Sequence, residues 1–179
     1  MHAILDDIQP VNFHAGEQAR RYLDTLTKPP GSLGALETLA IQLSAITGEL
    51  KPSVIPPAVI VFAADHGVAA EGVSAFPQAV TAQMVANFAQ GGAAVNMFAR
   101  QIGARIEVVD VGVASDIPAA GVVNAKVSRG TANMAVEDAM QPEQASEAIN
   151  AGVAAVERAI KAGAKCLIVG EMGIANTTA

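Results

Sequence analysis

Tryptophan is absent from this sequence, and aromatic residues make up only 3% of its 179 positions. So few rings argue against the stacking platforms on which single-stranded nucleic acids bind. Cations are also scarce, because 11 Lys and Arg stand against 17 Asp and Glu, for a net charge of −6. Since nucleic-acid binding requires a clustered positive surface, this balance argues against a nucleic-acid partner.

A single cysteine, Cys166, excludes an internal disulfide framework and is typical of a reducing compartment. No apolar run approaches the roughly 18 residues of a membrane-spanning helix. Residues 1–7 carry neither the basic segment nor the long apolar stretch of a secretory signal. The three histidines, His2, His14 and His66, are too scattered to indicate a metal site. We therefore expect a cytoplasmic protein that needs no membrane, no metal and no other cofactor.

Apolar residues are abundant, at 51%, which suffices for one buried core in a chain of this length. Apolar spacings of three and four residues predict helices at His14–Leu26 and Leu33–Ile46. The proline-rich segment 51–57 is interpreted as a linker. We therefore divide the chain into a helical segment with its linker, residues 1–57, and a parallel α/β nucleotide-binding domain, residues 58–179.

One short, continuous apolar run in the second part, Ala58–Ala63, predicts a strand that is covered on both faces. Two further strands are predicted at Arg105–Val111 and Lys165–Val169. Helices are predicted between them at residues 78–101, with a break at Gly91-Gly92, and at residues 142–161. Segment 114–138 is predicted to be irregular with short strands. This alternation indicates an α/β fold with a parallel, Rossmann-like sheet flanked by helices.

Polar residues follow the predicted strands: Asp65 and His66 the first, Asp110 the second and Glu171 the third. In parallel sheets, ligands bind beyond the carboxyl ends of the strands, so we expect these residues to form the rim of one site. Asp65 and His66 fit either a metal or acid–base site or a hydrogen-bonded loop that fixes the backbone. Glycine motifs of the dinucleotide-binding and P-loop types are absent, which removes the main support for those two functions.

The last predicted strand opens into a glycine-bounded loop that ends in Asn176-Thr177-Thr178. A strand, a glycine loop and a helix cap together present backbone N–H groups to a phosphate. Helix capping alone is the other explanation for Asn176 and Thr177. The helix that should follow has barely begun at Ala179. We therefore expect these residues to be the first part of a longer chain, with an incomplete sheet.

Six segments together resemble the nicotinate-nucleotide–dimethylbenzimidazole phosphoribosyltransferases, and the resemblance covers essentially the whole chain. The segments are Lys28-Pro29-Pro30-Gly31-Ser32-Leu33-Gly34 with Leu36-Glu37, Ala64-Asp65-His66-Gly67-Val68, Glu71-Gly72-Val73, Val80-Thr81, Asp110-Val111-Gly112, and Gly170 to Thr178. The resemblance implies a homodimeric enzyme that has a parallel α/β sheet and a smaller helical domain. It also implies transfer of phosphoribose from nicotinate mononucleotide to 5,6-dimethylbenzimidazole. The products would be nicotinate and α-ribazole 5′-phosphate, for cobalamin biosynthesis.

The resemblance also implies roles for individual residues. It makes Glu171 a supporting catalytic carboxylate, with a loop-anchoring acceptor as the alternative, and it places the general base beyond Ala179. It assigns the nucleotide phosphate to Gly173, Ile174, Asn176, Thr177 and Thr178.

The pocket for the accepting base is assigned by the same resemblance to Phe76, Pro77, Met84 and Met172. Ordinary helix packing is the alternative for Phe76 and Met84. The accepted base is dimethylbenzimidazole, another benzimidazole, a purine or a phenol, and the sequence does not decide among them.

Two other classes of function stay open at this point. One is a non-catalytic nucleotide-binding subunit, or an inactive piece, that needs the C-terminal half or a partner chain. The other is a structural protein with a vestigial site, which the intact strand-end carboxylates and loop disfavour. Binding of nicotinate mononucleotide separates these classes, and we expect no turnover from the 179 residues alone.

Overall fold

The computed structural model describes residues 8–118 and 120–179. The chain forms two compact units, which are divided between Ser53 and Val54. The division falls within the proline-rich segment interpreted above as a linker. No helix in the described ranges is long and apolar enough to cross a membrane.

The described residues of the first unit contain two helices, α1 (Phe13–Asp24) and α2 (Ala35–Thr47). Helix α1 begins where the Asn12 side chain accepts a hydrogen bond from the Ala15 N–H at 3.0 Å, as N-cap residues do. The two helices pack closely at Gly16, where an added Cβ would lie 3.3 Å from the Ala45 Cβ. A small residue at this point therefore sets the distance between the helices.

The described residues of the second unit contain four strands, three helices and a short 3-10 turn. In chain order these are β1 (Pro57–Ala64), the 3-10 turn (Gly67–Glu71), α3 (Ala79–Gln90), α4 (Ala94–Gln101), β2 (Arg105–Gly112), β3 (Val122–Asn124), α5 (Pro142–Lys161) and β4 (Cys166–Met172). All strand pairs are parallel, and the order across the sheet is β3-β2-β1-β4. The predicted parallel α/β fold is confirmed.

The core lies on both faces of β1, because successive strand residues point to opposite sides of a sheet. On one face, Val59 and Val61 pack with Val85 and Phe88 of α3. On the other face, Ile60 packs with Val109 and with Ala155 of α5. Strand β1 is therefore the buried centre of the sheet, which explains its uninterrupted apolar run.

The structure differs from the sequence-based expectation in two places. Strand β4 continues to Met172, three residues beyond the predicted end, so Glu171 lies within the strand, opposite Phe62. Residues 174–178 form consecutive turns rather than the start of a helix. The break expected at Gly91-Gly92 is present: α3 ends at Gln90, its cap residue Gly91 has φ +79°, and α4 begins at Ala94.

Candidate functional site

We use the name crevice for the region beyond the carboxyl ends of β1 and β4, whose place in the sheet follows from the strand order. The chain runs from β1 outward through β2 to β3, and then returns through α5 to place β4 on the opposite side of β1. Connections therefore leave β1 in opposite directions, which is the topological switch point at which open α/β sheets bind ligands. His66 follows β1, and Gly173 follows β4, so both residues border this crevice.

Gly173 allows the two strand ends to approach each other closely. A Cβ added at Gly173 would overlap the carbonyl oxygen of Ala64 and would lie 2.8 Å from Nε2 of His66. The His66 ring therefore lies directly against the backbone that leaves β4. Gly67 is equally confined, because its Cβ would overlap the backbone between Ala132 and Asn133. The crevice is bordered by backbone and by one imidazole ring.

Asp65 joins three loops beneath this edge of the sheet. Its side chain is only 2% exposed, and Oδ2 accepts a hydrogen bond from the Ala114 N–H at 2.8 Å. Its own N–H donates to the Gly112 carbonyl at 2.9 Å, and its carbonyl accepts from the Thr131 N–H at 3.0 Å. Its Oδ1 has no hydrogen-bond partner among the described residues. The geometry is that of a buried residue that holds loops in place.

Asp110 is held by the backbone and by a lysine that the sequence analysis missed. Its Oδ1 accepts from the N–H groups of Gly112 and Val113 at 3.1 and 2.9 Å. Its Oδ2 lies 3.0 Å from Nζ of Lys126, which also donates to the carbonyls of Val113 and Ser115. The only sequence feature that could have indicated a role for Lys126 is that it is an isolated cation, two residues after the end of the short strand β3.

Glu171 and Asn176 face each other across the turn that leaves β4. The side-chain nitrogen of Asn176 donates to both carboxylate oxygens of Glu171, at 2.6 and 2.7 Å. Glu171 is exposed, and Asn176 is half-buried. The one carboxylate near the mouth of β4 is therefore oriented by a neutral amide.

The turn over residues 174–178 is held by a hydrogen bond to helix α3, and its backbone is strained at Ala175. The N–H of Ile174 donates to the hydroxyl of Thr81 at 3.1 Å, and Thr81 is fully buried. Ala175 has φ +72°, in the left-handed region that disfavours residues with a Cβ. The N–H groups of Asn176 and Thr178 donate to the carbonyls of Gly173 and Ala175.

Those contacts determine which backbone N–H groups of this turn remain available to the phosphate that the resemblance implies. Three of the five, Ile174, Asn176 and Thr178, already use their backbone N–H groups inside the protein. The N–H groups of Ala175 and Thr177 donate to no acceptor in the described ranges. A left-handed residue inside a turn is one half of the backbone arrangement that forms anion-binding nests.

The residues expected around the base do not all come together. Met84 and Met172 both pack against the core cluster on the α3 face of the sheet. Phe76 is 66% exposed, and Pro77 is also exposed, so these two lie outside that cluster. Within the described residues, no group of three or more His, Cys, Asp or Glu side chains is arranged to hold a metal ion.

The fold is that of an α/β protein whose parallel sheet has a topological switch point between β1 and β4, the place where open sheets of this kind bind ligands. A family model described as "Phosphoribosyltransferase" matches residues 8–179. The chain belongs to the nicotinate-nucleotide–dimethylbenzimidazole phosphoribosyltransferase family.

Similar proteins carry that name. The chain is 52% identical over 180 residues to the enzyme of this name from Chloroflexus aurantiacus, and 53% identical over 175 residues to that from Chromobacterium violaceum. These alignments cover 100% and 98% of this chain and 51% of each relative. A crystal structure of the Thermus thermophilus enzyme is 52% identical, with a TM-score of 0.89 over 92% of this chain and 50% of that one. The chain thus spans about half the length of the curated relatives it matches.

Proposed function

We propose that this protein, at the full length of its relatives, transfers phosphoribose from nicotinate mononucleotide to 5,6-dimethylbenzimidazole or a related base. The products are nicotinate and α-ribazole 5′-phosphate, a step of cobalamin biosynthesis. The observation that carries the proposal is the switch-point crevice, with Glu171 at its β4 side, in a chain of this family. The names of the enzymes from Chloroflexus aurantiacus and Chromobacterium violaceum indicate the donor and the acceptor.

The chemistry requires two flat rings on opposite sides of one sugar. A nitrogen of the accepting base forms a bond to C1′ of the ribose while the bond from C1′ to the nicotinate nitrogen breaks. The leaving ring keeps the electron pair, the configuration at C1′ inverts from β to α, and the base gives up its N–H proton. Positioning and charge stabilisation supply most of the catalysis in such a displacement.

Glu171 is proposed as the supporting carboxylate of this reaction, beside the positive charge that develops on the sugar. The family resemblance puts the general base, a glutamate, outside residues 1–179. A general base typically contributes about 10²- to 10⁴-fold to the rate. A polypeptide of residues 1–179 is therefore expected to give no measurable turnover.

The phosphate site is proposed at the turn that contains Gly173, Ile174, Asn176, Thr177 and Thr178. Two features support it: the N–H groups of Ala175 and Thr177, which have no acceptor in the described part of the chain, and the left-handed backbone at Ala175. The base pocket is proposed around Met84 and Met172, with Phe76 and Pro77 at its entrance. Thioether side chains adapt to flat rings of different size, which suits more than one accepting base.

The cellular setting and assembly are further proposals. A single cysteine, Cys166, supports a reducing compartment, and we propose the cytoplasm. Membership of the family supports a homodimer, which light scattering on the full-length protein would measure.

The test uses the purified full-length protein with nicotinate mononucleotide and dimethylbenzimidazole, and chromatography detects α-ribazole phosphate. We expect turnover by the wild type and a fall in kcat of about 10²-fold for Glu171→Gln, the usual cost of removing one charge-stabilising group. Glu157→Gln on the exposed face of α5 is the matched control and should leave kcat unchanged. Nucleotide binding without any product would instead indicate a non-catalytic subunit.

A further inference from the structure

We infer that Asn176 is a positioning residue, which fixes the Glu171 carboxylate at the mouth of β4; this inference rests on the proposed function. The contact is direct, because Nδ2 of Asn176 lies 2.6 and 2.7 Å from the two oxygens of Glu171. A carboxylate only accepts hydrogen bonds, so the amide nitrogen of Asn176, not its oxygen, must face Glu171.

A half-buried amide would not hold an exposed carboxylate unless the backbone kept the two together, because water competes for both groups. The turn provides that constraint. Its start is fixed at Ile174, whose N–H donates to the buried hydroxyl of Thr81. Its centre is fixed by the bond from the Asn176 N–H to the Gly173 carbonyl at 3.1 Å.

The backbone strain of this turn lies at Ala175. This residue is buried, and its φ of +72° lies in a region that residues with a Cβ enter only when their surroundings impose it. Strained backbone of this kind collects at functional sites. The left-handed residue stands directly before Asn176, and it turns the chain back so that the amide of Asn176 reaches Glu171.

The bond leaves Glu171 able to act on a substrate. Each carboxylate oxygen has two lone pairs, and Asn176 occupies one side of the pair of oxygens. The remaining lone pairs stay available, while the plane of the carboxylate is fixed. The amide carries no charge, so the negative charge of Glu171 is not neutralised by an ion pair.

The test is a double-mutant cycle on the full-length protein, with α-ribazole phosphate formation as the readout. Asn176→Ala should lower kcat about 10- to 100-fold, since a misplacement of about 1 Å can cost about 10²-fold. The KM for nicotinate mononucleotide should change by less than about threefold, because the side chain of Asn176 is engaged with Glu171 and the proposed phosphate site uses backbone N–H groups of the turn. In the Glu171→Ala background, Asn176→Ala should change kcat by less than about twofold, because residues that act through one another are not additive.

Asn150→Ala, on the exposed face of α5, makes the same chemical change away from the crevice and should leave kcat unchanged. Asn176→Gln keeps the amide donor and should recover part of the lost kcat. If Asn176→Ala does not fold, the kcat of Asn176→Gln is compared with that of the wild type instead.

Two results with an active wild type would overturn the positioning role alone. They are independent, multiplying effects of the two substitutions, and a raised KM with kcat intact, which would make Asn176 a phosphate contact. An inactive wild type would overturn the proposed function and this inference together.

Discussion

At the scale of single residues, two glycines near the end of β4 have very different surroundings. A Cβ on Gly170 would meet only Val61 Cγ2, at 4.0 Å, which is an ordinary contact. A Cβ on Gly173 would overlap the Ala64 carbonyl and press on the His66 ring. The first position tolerates a side chain, and the second requires that β1 and β4 separate.

Gly173→Ala is therefore expected to open the crevice. We expect it to abolish measurable binding of nicotinate mononucleotide to the full-length protein and to destabilise the fold by about 1–3 kcal/mol, the usual cost of overpacking. Isothermal titration calorimetry and urea unfolding measure the two effects. Gly170→Ala is the control, with binding and stability close to wild type. Equal affinities for both variants would show that the nucleotide does not bind at this crevice.

The residue scale also shows what the sequence could and could not predict about the site. The chain order places Asp65 and His66 directly after β1, so a local pattern suffices to find them. The ion pair of Asp110 with Lys126 and the bond between Asn176 and Glu171 depend on turns whose geometry no spacing specifies. The second pair also needs Ala175 to adopt a left-handed backbone, which its residue type argues against.

At the scale of elements, the sequence was informative wherever side chains determine the structure. Helix α5 has the predicted bounds, because Pro142 favours its first turn and Gly163, with φ +92°, follows its end. Strand β4 was predicted too short, because its apolar run stops at Val169. Its backbone pairing with β1 continues through Gly170 and Glu171, since main-chain hydrogen bonds do not depend on apolar side chains.

Lys126 holds the end of β2 to the segment that follows β3. Lys126→Met leaves the buried Asp110 carboxylate without its cation, which typically costs about 3–5 kcal/mol. Urea unfolding of the full-length protein measures this loss. Lys161→Met is the matched control: its partner Glu157 lies 3.9 Å away and both are exposed, so we expect a change under about 0.5 kcal/mol. Equal losses would mean that the Asp110 pair contributes no more than a surface pair.

The start of helix α2 gives a prediction about pH. The ammonium of Lys28, 2.8 Å from Oε1 of Glu37, lowers the pKa of Glu37 below its usual 4.5, and a hydrogen bond from the Leu33 N–H acts in the same direction. The unfolded chain therefore takes up this proton at a higher pH than the folded chain. The stability that Glu37 contributes is present above about pH 4.5 and is lost as the pH falls through the folded pKa.

The comparison of Glu37→Gln with wild type isolates this effect. The wild type should lose stability between about pH 4.5 and the lower folded pKa, and Glu37→Gln should lose less over the same range. Urea midpoints at a series of pH values provide the measurement. An identical profile for Glu37→Gln and the wild type would contradict the prediction.

At the scale of the whole molecule, β4 is the outer strand of the sheet in the described part of the chain, and it is poorly covered. Ile168 is 41% exposed and Val169 is 69% exposed, although both lie in a strand. An exposed apolar strand at a sheet edge is a template for pairing with another chain.

A polypeptide of residues 1–179 is therefore expected to self-associate through β4. Val169→Lys should reduce this association, because an edge charge opposes strand pairing. Val136→Lys is the control, since Val136 is 77% exposed but lies outside every strand. Size-exclusion chromatography with light scattering measures the mass. Equal masses for both variants would place the association elsewhere.

The strand order also sets the sequence of events during synthesis. Strand β1 pairs with β2 through Ala58 to Ala64, and on its other side Pro57 to Ala63 pair with Cys166 to Met172 of β4. The ribosome synthesises β1, β2, β3 and α5 before β4. The edge of β1 that pairs with β4 therefore stays unpaired while the intervening residues are added. Contacts between residues so distant in the chain form late, because a long loop must close first. The crevice beyond β1 and β4 is therefore the last part of this sheet to assemble, and a translational pause before β4 leaves the nascent chain with an apolar edge of β1 open.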